Sequence, residues 1–586
     1  MRMCGIYGHF TSLNNDIERC NSSWEVASDI MANRGPDASG FENIEIDNFH
    51  GVICHRRLAI VDLDSRSNQP MNNDGNLISF NGEIYNYLEL KKDLKEDGIN
   101  FLTKSDTEVL IQGFDIYGLD FLKKIDGPFA FGHYDKTKKN ITLARDIFGE
   151  KPLFYYYDST DFLFSSSYEA VVSFLDNKLL DSNFLKDFFD SGYSKKNTLY
   201  KNIHKVNPGE AIEFNFHNKI SIKKSVKNEF NFNAKNLSFD ISHFEKLFIE
   251  SLERRLIADV PIALLLSGGI DSSYIATIAK QELNYDFNCI TIDDGMGSEK
   301  DIENAKKLTR KLNIPHHIIN KDDFVPNEIN NTLTNLDEII SDPAYYLQSK
   351  LISNVPNNIK VLISGDGSDE IFLSYSNYKK IFKNAKNMRD KISKEAILKT
   401  ENILGKCHPK VLNIFIRASA FCPLSVNDLF ILERVFSKDK EFIDNVLLKD
   451  KCWDLLHKKA IDYDLAEYLL RKADLSSTFF SKELRSPFLS KKIFKYALQC
   501  DFDSIKAGKK QHLIDSLVKR LGKDFLFEKR GFFAGGQKKI TENIDIDLSF
   551  LPKETLSKIE NISLNDYSLK YRSLVLKNYL SKFQDA

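Results

Sequence analysis

The sequence predicts an α+β packed-sheet domain followed by an α/β domain with a parallel sheet and a helical C-terminal part. From Cys4 to about Glu213, short strands alternate with turn residues: "GVICHRRLAIVDL", "NLISFNGEIYN", "GPFAFGHYD", "NITLARDIFG" and "DFLFSSS". Beyond residue 240 the pattern becomes strand, turn, helix: "VPIALLL" then "SSYIATIAKQEL", "FNCITI" then "DIENAKKLTRKL", and "IKVLISG" followed by another helix. Short, almost wholly apolar strands separated by helical segments belong to a parallel sheet covered on both faces. A chain of 586 residues also exceeds what a single hydrophobic core organises.

In chain order, the first half has helices at Leu88–Asp97 and Asp106–Tyr117 between its strands. Residues 217–240, "HNKISIKKSVKNEFNFNAKNLSFD", are rich in Asn and Lys and lack a sustained apolar period, so they read as a linker. The expected organisation is a first domain at 4–215, a linker at 216–240 and a second domain at 241–586. Residues 380–586 read as largely helical, without strong strand alternation, and no internal repeat or low-complexity tract interrupts the chain.

Composition, 42% hydrophobic and 28% charged with 27 Gly and 14 Pro, is that of a soluble globular protein. A formal net charge of -2 supplies no field of either sign, so the expected partners are small molecules, not nucleic acid or membrane. The 8 cysteines are scattered, with no Cys-x-x-Cys and no zinc-ligand spacing beside His, and read as reduced. No apolar run approaches the roughly 18 residues that span a bilayer. The stretch after Arg2 is too short for a secretory signal, so the expected location is cytoplasmic.

The strongest local signal is "LLLSGGIDSS", residues 264–273, where a buried-type strand gives way to a helix. Gly268 and Gly269 admit close backbone approach, Ser267, Ser272 and Ser273 offer hydroxyls, and the helix start offers unbonded N–H groups. That is an anion cradle, although it lacks the glycine-lysine-serine end of a Walker A loop; a plain glycine turn is the alternative. A second turn, "LISGDGSDE" at 362–370, contributes Asp366, Asp369 and Glu370. Alone it reads as a capped helix start with solvated acids. Beside the first loop it reads as the second wall of one pocket, because ligands of open parallel sheets bind outside the carboxyl ends of the strands. Asp271 and Asp369 could then hold Mg²⁺ against a triphosphate.

Ser267-Gly268-Gly269-Ile270-Asp271-Ser272 resembles the pyrophosphate loop of ATP-pyrophosphatase enzymes. The first half carries, in order, "CGIYG" (4–8), "RGPDASG" (34–40), "HRRLAIVDL" (55–63), "QP" (69–70), "NGEIYN" (81–86), "SDTE" (105–108), "DGPFAF" (126–131) and "ARDIFGEKPL" (144–153). This series resembles the class II glutamine amidotransferase domain of glutamine-hydrolysing asparagine synthetases. "LRSPFL" (484–489) and "KRGF" (529–532) resemble the same family's C-terminal segments, and the match is poor at about 380–465. The resemblance implies an Ntn-hydrolase sandwich (αββα) joined to an ATP-pyrophosphatase domain.

By that resemblance the thiol of Cys4 is a nucleophile toward glutamine and its own α-amine is the base. The side chain of Asn81 and the N–H of Gly82 take the oxyanion; Arg57 grips the glutamine α-carboxylate with its guanidinium fork; Glu83 and Asp106 hold the α-ammonium. ATP is placed against Leu265, Ile292, Ser364 and Gly365, with its phosphates on Ser267, Gly268, Gly269, Asp271 and Ser272 and with Mg²⁺ on Asp271 and Asp369. Asp366 stands where the family commonly has a glutamate that takes a proton from attacking ammonia. A lysine normally serves the phosphates within a Gly-Lys-x-Lys stretch. Here "AGKKQHLID" (507–515) puts Gln511 in strict alignment, leaving Lys509 or Lys510 under a shifted register. "FSSSYEA" (164–170), "FLSYSNY" (372–378) and Ser490 also depart from the usual wording.

The implied activity is ATP-dependent asparagine synthesis: glutamine is hydrolysed to ammonia, aspartate is adenylated on its side-chain carboxylate and then amidated, and AMP and pyrophosphate are released. "DEIISDPAYYLQSKL" (337–351) resembles the acceptor-lining segment without fixing the acceptor. The alternatives are the same chemistry on a sugar uronic acid, an amide ring closure, and a non-catalytic regulatory protein on this fold. A homodimer is the expected assembly. Because the mechanism needs a free α-amine on Cys4, the active chain is expected to start there, by initiation at Met3 and excision of that Met, a short propeptide being the alternative.

Overall fold

The computed structural model describes residues 4–13, 17–194, 196–216, 220–227, 230, 237–293, 299–319, 326–375, 457, 458, 460–500, 504, 505, 509–523, 525, 551, 556 and 566–583. The first half contains β1 (Gly5–Ser12), β2 (Ala38–Ile46), β3 (Phe49–Arg57), β4 (Met71–Asn73), β5 (Asn76–Gly82), β6 (Phe129–Asp135), β7 (Asn140–Arg145), β8 (Phe154–Tyr157), β9 (Asp161–Ser165), β10 (Ile203–Lys205), β11 (Glu210–Asn215) and β12 (Ser221–Lys227). They form two antiparallel sheets of six strands, in the orders β10-β8-β9-β1-β3-β2 and β12-β11-β7-β6-β5-β4.

Alternation along each strand decides what lies between the sheets. Ile6 and Phe10 of β1 meet Leu77, Ile141, Leu143 and Phe214 of the second sheet, whereas Tyr7 turns outward to Trp24 on helix Glu18–Ile30. The opposite sheet buries Ile78, Phe80 and Phe131 under Leu90 and Leu94 of helix Tyr87–Glu96 and Val109 and Phe114 of helix Asp106–Tyr117. The result is an αββα sandwich. Ser105 caps the latter helix by accepting from the N–H of Thr107, which fixes where the adjacent Asp106 stands.

The stretch expected to be a linker is partly sheet, because β12 pairs antiparallel with β11 across a bulge at Glu213/Phe214. Ile222 and Val226 are two of its large apolar side chains, both exposed. Such a polar, lysine-bearing edge strand resists pairing with other chains and leaves a weak sequence signal.

In the second half β13 (Ile262–Leu265), β14 (Asn288–Ile292), β15 (His316–Ile319), β16 (Val361–Ile363) and β17 (Glu483–Arg485) form one parallel sheet in the order β15-β14-β13-β16-β17. Ile262 and Leu264 pack on one face against helices Ile241–Arg255, Ile270–Gln281 and Gln511–Leu521. Ala263, Ile290 and Leu362 pack on the other against helices Ala344–Ser353 and Leu470–Thr478. β17 lies inside the region expected to be helical; at three residues it is too short to show alternation. The rest of that region up to residue 456, and "KRGF", fall outside the described residues.

Strand order reverses between β13 and β16, which opens a crevice beyond their carboxyl ends. The two halves also share apolar packing: Leu58, Ile60 and Phe148 of the sandwich join the core of the second sheet, with the Phe148 and Phe494 rings 4.8 Å apart. Among the described residues no helix is long and apolar enough to cross a membrane, and no two cysteines are joined.

Candidate functional site

Cys4 stands immediately before β1, half-buried beside the end of β3. Its Sγ accepts from the Leu58 N–H at 3.4 Å and lies 3.7 Å from the Leu58 carbonyl oxygen. Burial pushes the thiol up to about 12, against the lowering effects of the Leu58 backbone and Arg57. A thiol in that condition needs a base to become a nucleophile.

The end of β5 brings Asn81 and Gly82 to the same region. Asn81 is 1% exposed, and its Nδ2 is a buried donor without a hydrogen-bond partner. A donor left so costs about 1–3 kcal/mol unless a ligand oxygen takes it. Gly82 has φ +153°, and a Cβ there would lie 2.1 Å from the Pro128 carbonyl oxygen, so only glycine fits.

Glu83 and Asp106 are the buried acids of this site. Burial raises Asp106 to about 6, even though its carboxylate accepts from the Ile84 N–H at 2.9 Å. Glu83 is raised well above the usual range by burial and by the nearby charges of Asp106 and Glu483. Arg485 Nη2 lies 3.6 Å from it. Two desolvated carboxyls of this kind favour an incoming ammonium.

Arg57 is buried, and its Nη atoms donate to the carbonyls of Val61, Asp62 and Asp64 and to Asn68 Oδ1. Four of the five guanidinium N–H groups are thus spent on loop 61–68, leaving Nε. Arg57 thereby shapes loop 61–68.

The second constellation lies at the β13/β16 crevice. Gly268 has φ +77°, and a Cβ there would lie 1.9 Å from the Asp301 carbonyl oxygen. Ser267 and Ser272 hydroxyls sit 3.1 Å apart, and Ser267 Oγ accepts from the Gly269 N–H at 3.3 Å. Leu265 and Ile292, at the ends of β13 and β14, are partly buried against the sheet core. Across the crevice Ser364 donates to Asp366 Oδ2 at 2.7 Å, and a Cβ on Gly365 would lie 2.9 Å from the Asp271 Cβ.

Asp271 accepts from Ser368 Oγ at 2.6 Å and from Lys510 Nζ at 2.5 Å, and Lys510 also reaches Asp369 Oδ1 at 2.9 Å. Burial opposes the charge on Lys510, but Asp271 and Asp369 hold its pKa above the ordinary lysine value. Lys510 is 2% exposed whereas Lys509 is exposed, so of the two expected lysines the site contains Lys510. Asp271 and Asp369 converge on one cationic atom, which fits a hard divalent cation held by carboxylates and phosphate oxygens. Among the described residues no group of three acidic, His or Cys side chains forms an all-protein metal cage.

Residues 3–225 match the family model described as a glutamine amidotransferase domain, and residues 243–526 match that of asparagine synthase. A probable glutamine-hydrolysing asparagine synthetase of Acanthamoeba polyphaga mimivirus is 30% identical over 388 residues, 64% of this chain and 68% of that one. The chain belongs to the glutamine-hydrolysing asparagine synthetase family. Glutamine-hydrolysing asparagine synthetase 1 of Bacillus subtilis (strain 168) is 26% identical over 526 residues, covering 84% of this chain and 80% of its own. Amidase chry2 of Gibberella zeae is 28% identical over 408 residues, covering 64% of this chain and 60% of its own. As a family member the chain is a glutamine-dependent amidotransferase ligase with ATP as a substrate.

Sequence reasoning named Ser364 and Asp366 but missed Glu150, Lys151 and Asp474, charged residues on the seam between the family's two units. Glu150 and Lys151 of the sandwich and Ser364, Asp366, Asp474 and Ser486 of the second half line a cavity of about 20 Å³, room for roughly one water-sized molecule. Burial and the charge of Asp146 raise Glu150 to about 8. Asp474 stands 440 residues from its partner Arg34, beyond the reach of any local pattern.

Proposed function

We propose that this chain is an asparagine synthetase in which residues 4–215 release ammonia from glutamine and residues 241–586 adenylate and amidate the aspartate side-chain carboxylate. The carrying observation is that one seam cavity is lined both by Ser364 and Asp366 of the crevice loop and by Asp474, which Arg34 joins to the Cys4 carbonyl.

In this reading the α-amine of Cys4 removes the thiol proton and sulfur attacks the glutamine amide carbon. Asn81 Nδ2 and the Gly82 N–H hold the oxyanion, and collapse expels ammonia with the proton returned by the amine, leaving a thioester that water cleaves to glutamate. Arg57 contributes its Nε–H to the α-carboxylate, and Glu83 and Asp106 hold the α-ammonium. This route needs the Cys4 amine free of the residues before it.

At the second site the aspartate side-chain carboxylate attacks the α-phosphorus of ATP and pyrophosphate leaves. Ser267, Gly268, Gly269 and Ser272 cradle the phosphates, while Leu265, Ile292, Ser364 and Gly365 border the nucleoside. Asp271 and Asp369 would hold Mg²⁺, which neutralises phosphate charge when bound. Lys510 adds a fixed positive charge at the same place. Ammonia then attacks the acyl carbon, Asp366 takes its surplus proton and AMP departs.

Purified protein supplied with ATP, Mg²⁺ and either glutamine or ammonium should release pyrophosphate and form asparagine when aspartate is added. Pyrophosphate release with a sugar uronic acid or another carboxylate, but not with aspartate, would move the acceptor. No release with any carboxylate would remove the ligase reading.

A further inference from the structure

Arg34 reaches in two directions. Its Nε donates to the backbone carbonyl of Cys4 at 3.3 Å, and its two Nη atoms meet the Asp474 carboxylate at 3.3 and 3.4 Å. The Arg34 side chain is 6% exposed and that of Asp474 1%. Asp474 also accepts from Arg471 Nη1 at 2.8 Å, and Arg471 Nε binds Glu338 at 2.6 Å. Lys205 joins Glu338 at 2.8 Å to Glu467 at 3.0 Å, and Arg145 meets Glu467 at 3.1 Å. The charges therefore alternate back and forth across the seam.

Buried ion pairs are poor sources of stability, since desolvation offsets most of the attraction and apolar side chains of similar volume serve as well or better. This pair is placed where it fixes geometry instead. One end holds the backbone of the residue that carries the proposed nucleophile. The other belongs to helix Leu470–Thr478 and lines the seam cavity together with Asp366. A planar fork fixes both distance and angle, which a flexible ammonium does not.

We propose that Arg34 and Asp474 are a positioning pair that locks the Cys4 strand to the second half, so that ammonia leaves the glutamine site aligned with the seam cavity. The pair governs how completely nitrogen is transferred, rather than either chemical step. This rests on the two-site reading but not on aspartate being the acceptor.

The test compares Asp474→Asn, Arg34→Lys and the double variant with the wild type. Amide formed per glutamine hydrolysed should fall roughly ten-fold in each single variant, the scale of a small misplacement, while ammonia-dependent synthesis stays within about two-fold of wild type. The double variant should lose no more than the larger single loss, as expected of residues acting as a unit. Hydrogen exchange at residues 5–8, which needs no acceptor, should quicken in every variant. An unchanged transfer ratio, a parallel fall in ammonia-dependent synthesis, additive losses or unchanged exchange would each overturn the pair. If Asp474→Asn fails to fold, Arg34→Lys, which keeps the charge, decides by the same readouts. Wild-type protein inactive with aspartate would instead count against the acceptor, and the exchange measurement would still judge the pair.

Discussion

Lys510 Nζ lies 2.5 Å from Asp271 and 2.9 Å from Asp369, so one buried ammonium ties the glycine turn after β13, the second crevice loop and the start of helix Gln511–Leu521 together. Lys510 has φ +49°, which turns its side chain into the crevice while Lys509 faces solvent. Lys510→Met should lower pyrophosphate release by about 100-fold or more with either nitrogen source, the usual scale for losing a charge-stabilising group. Lys509→Met should stay within about two-fold. Pyrophosphate assays on both variants check this, and equal effects would remove the distinction.

Asp271→Asn keeps the shape of the residue and its hydrogen bond from Ser368 but removes the charge facing Lys510. ATP turnover should fall about 100-fold with glutamine or ammonium, because the charge array at the phosphates is broken. Glutamine hydrolysis should persist, since Asp271 stands at the β13/β16 crevice and not beside Cys4. Glutamate and pyrophosphate measured on the same samples separate the two.

The sequence already displayed the strand–turn–helix at 262–281, because an apolar run, two glycines and a helical period follow one another there. Helix Asp106–Tyr117 was equally legible, its cap and apolar period being local. What stayed hidden was set by distant partners. The donors of Arg57 close on carbonyls of loop 61–68, whose path no spacing displays. Arg34 opens the "RGPDASG" motif, but nothing local pairs it with Asp474, 440 residues away. The register at Lys510 depends on a left-handed backbone turn at a non-glycine residue, which composition does not announce.

Glu150→Gln tests the cost of the buried carboxyl on the seam. The folded protein raises Glu150 from 4.5 to about 8, so the folded form binds this proton more tightly than the unfolded one. Stability present at low pH is therefore lost as pH climbs from about 4.5 toward about 8. Removing the acid should raise Tm more at about pH 8 than at about pH 5, by roughly 2–4 °C. Glu370, raised to about 8 by burial and Asp369, has the same sign but is present in both proteins and cancels in the comparison. Thermal melts at the two pH values give the answer, and an equal shift at both would place the Glu150 titration elsewhere.

Cys4→Ala and Asn81→Ala probe the glutamine site from two directions. Without the thiol there is no covalent route, so Cys4→Ala should abolish glutamine-dependent amide formation and leave ammonia-dependent synthesis within about two-fold of wild type. Asn81 Nδ2 is a buried donor with no partner in the resting protein, a condition that favours the charged oxygen of the intermediate over the neutral amide. Asn81→Ala should therefore lower glutaminase kcat by roughly 10²–10³ while KM changes little. A kcat near wild type with a raised KM would mean that Asn81 binds ground-state glutamine instead. Equal loss of glutamine- and ammonia-dependent synthesis in Cys4→Ala would mean that the nucleophile and the ligase are not separate sites, because the second site receives the same ammonia whichever source supplies it.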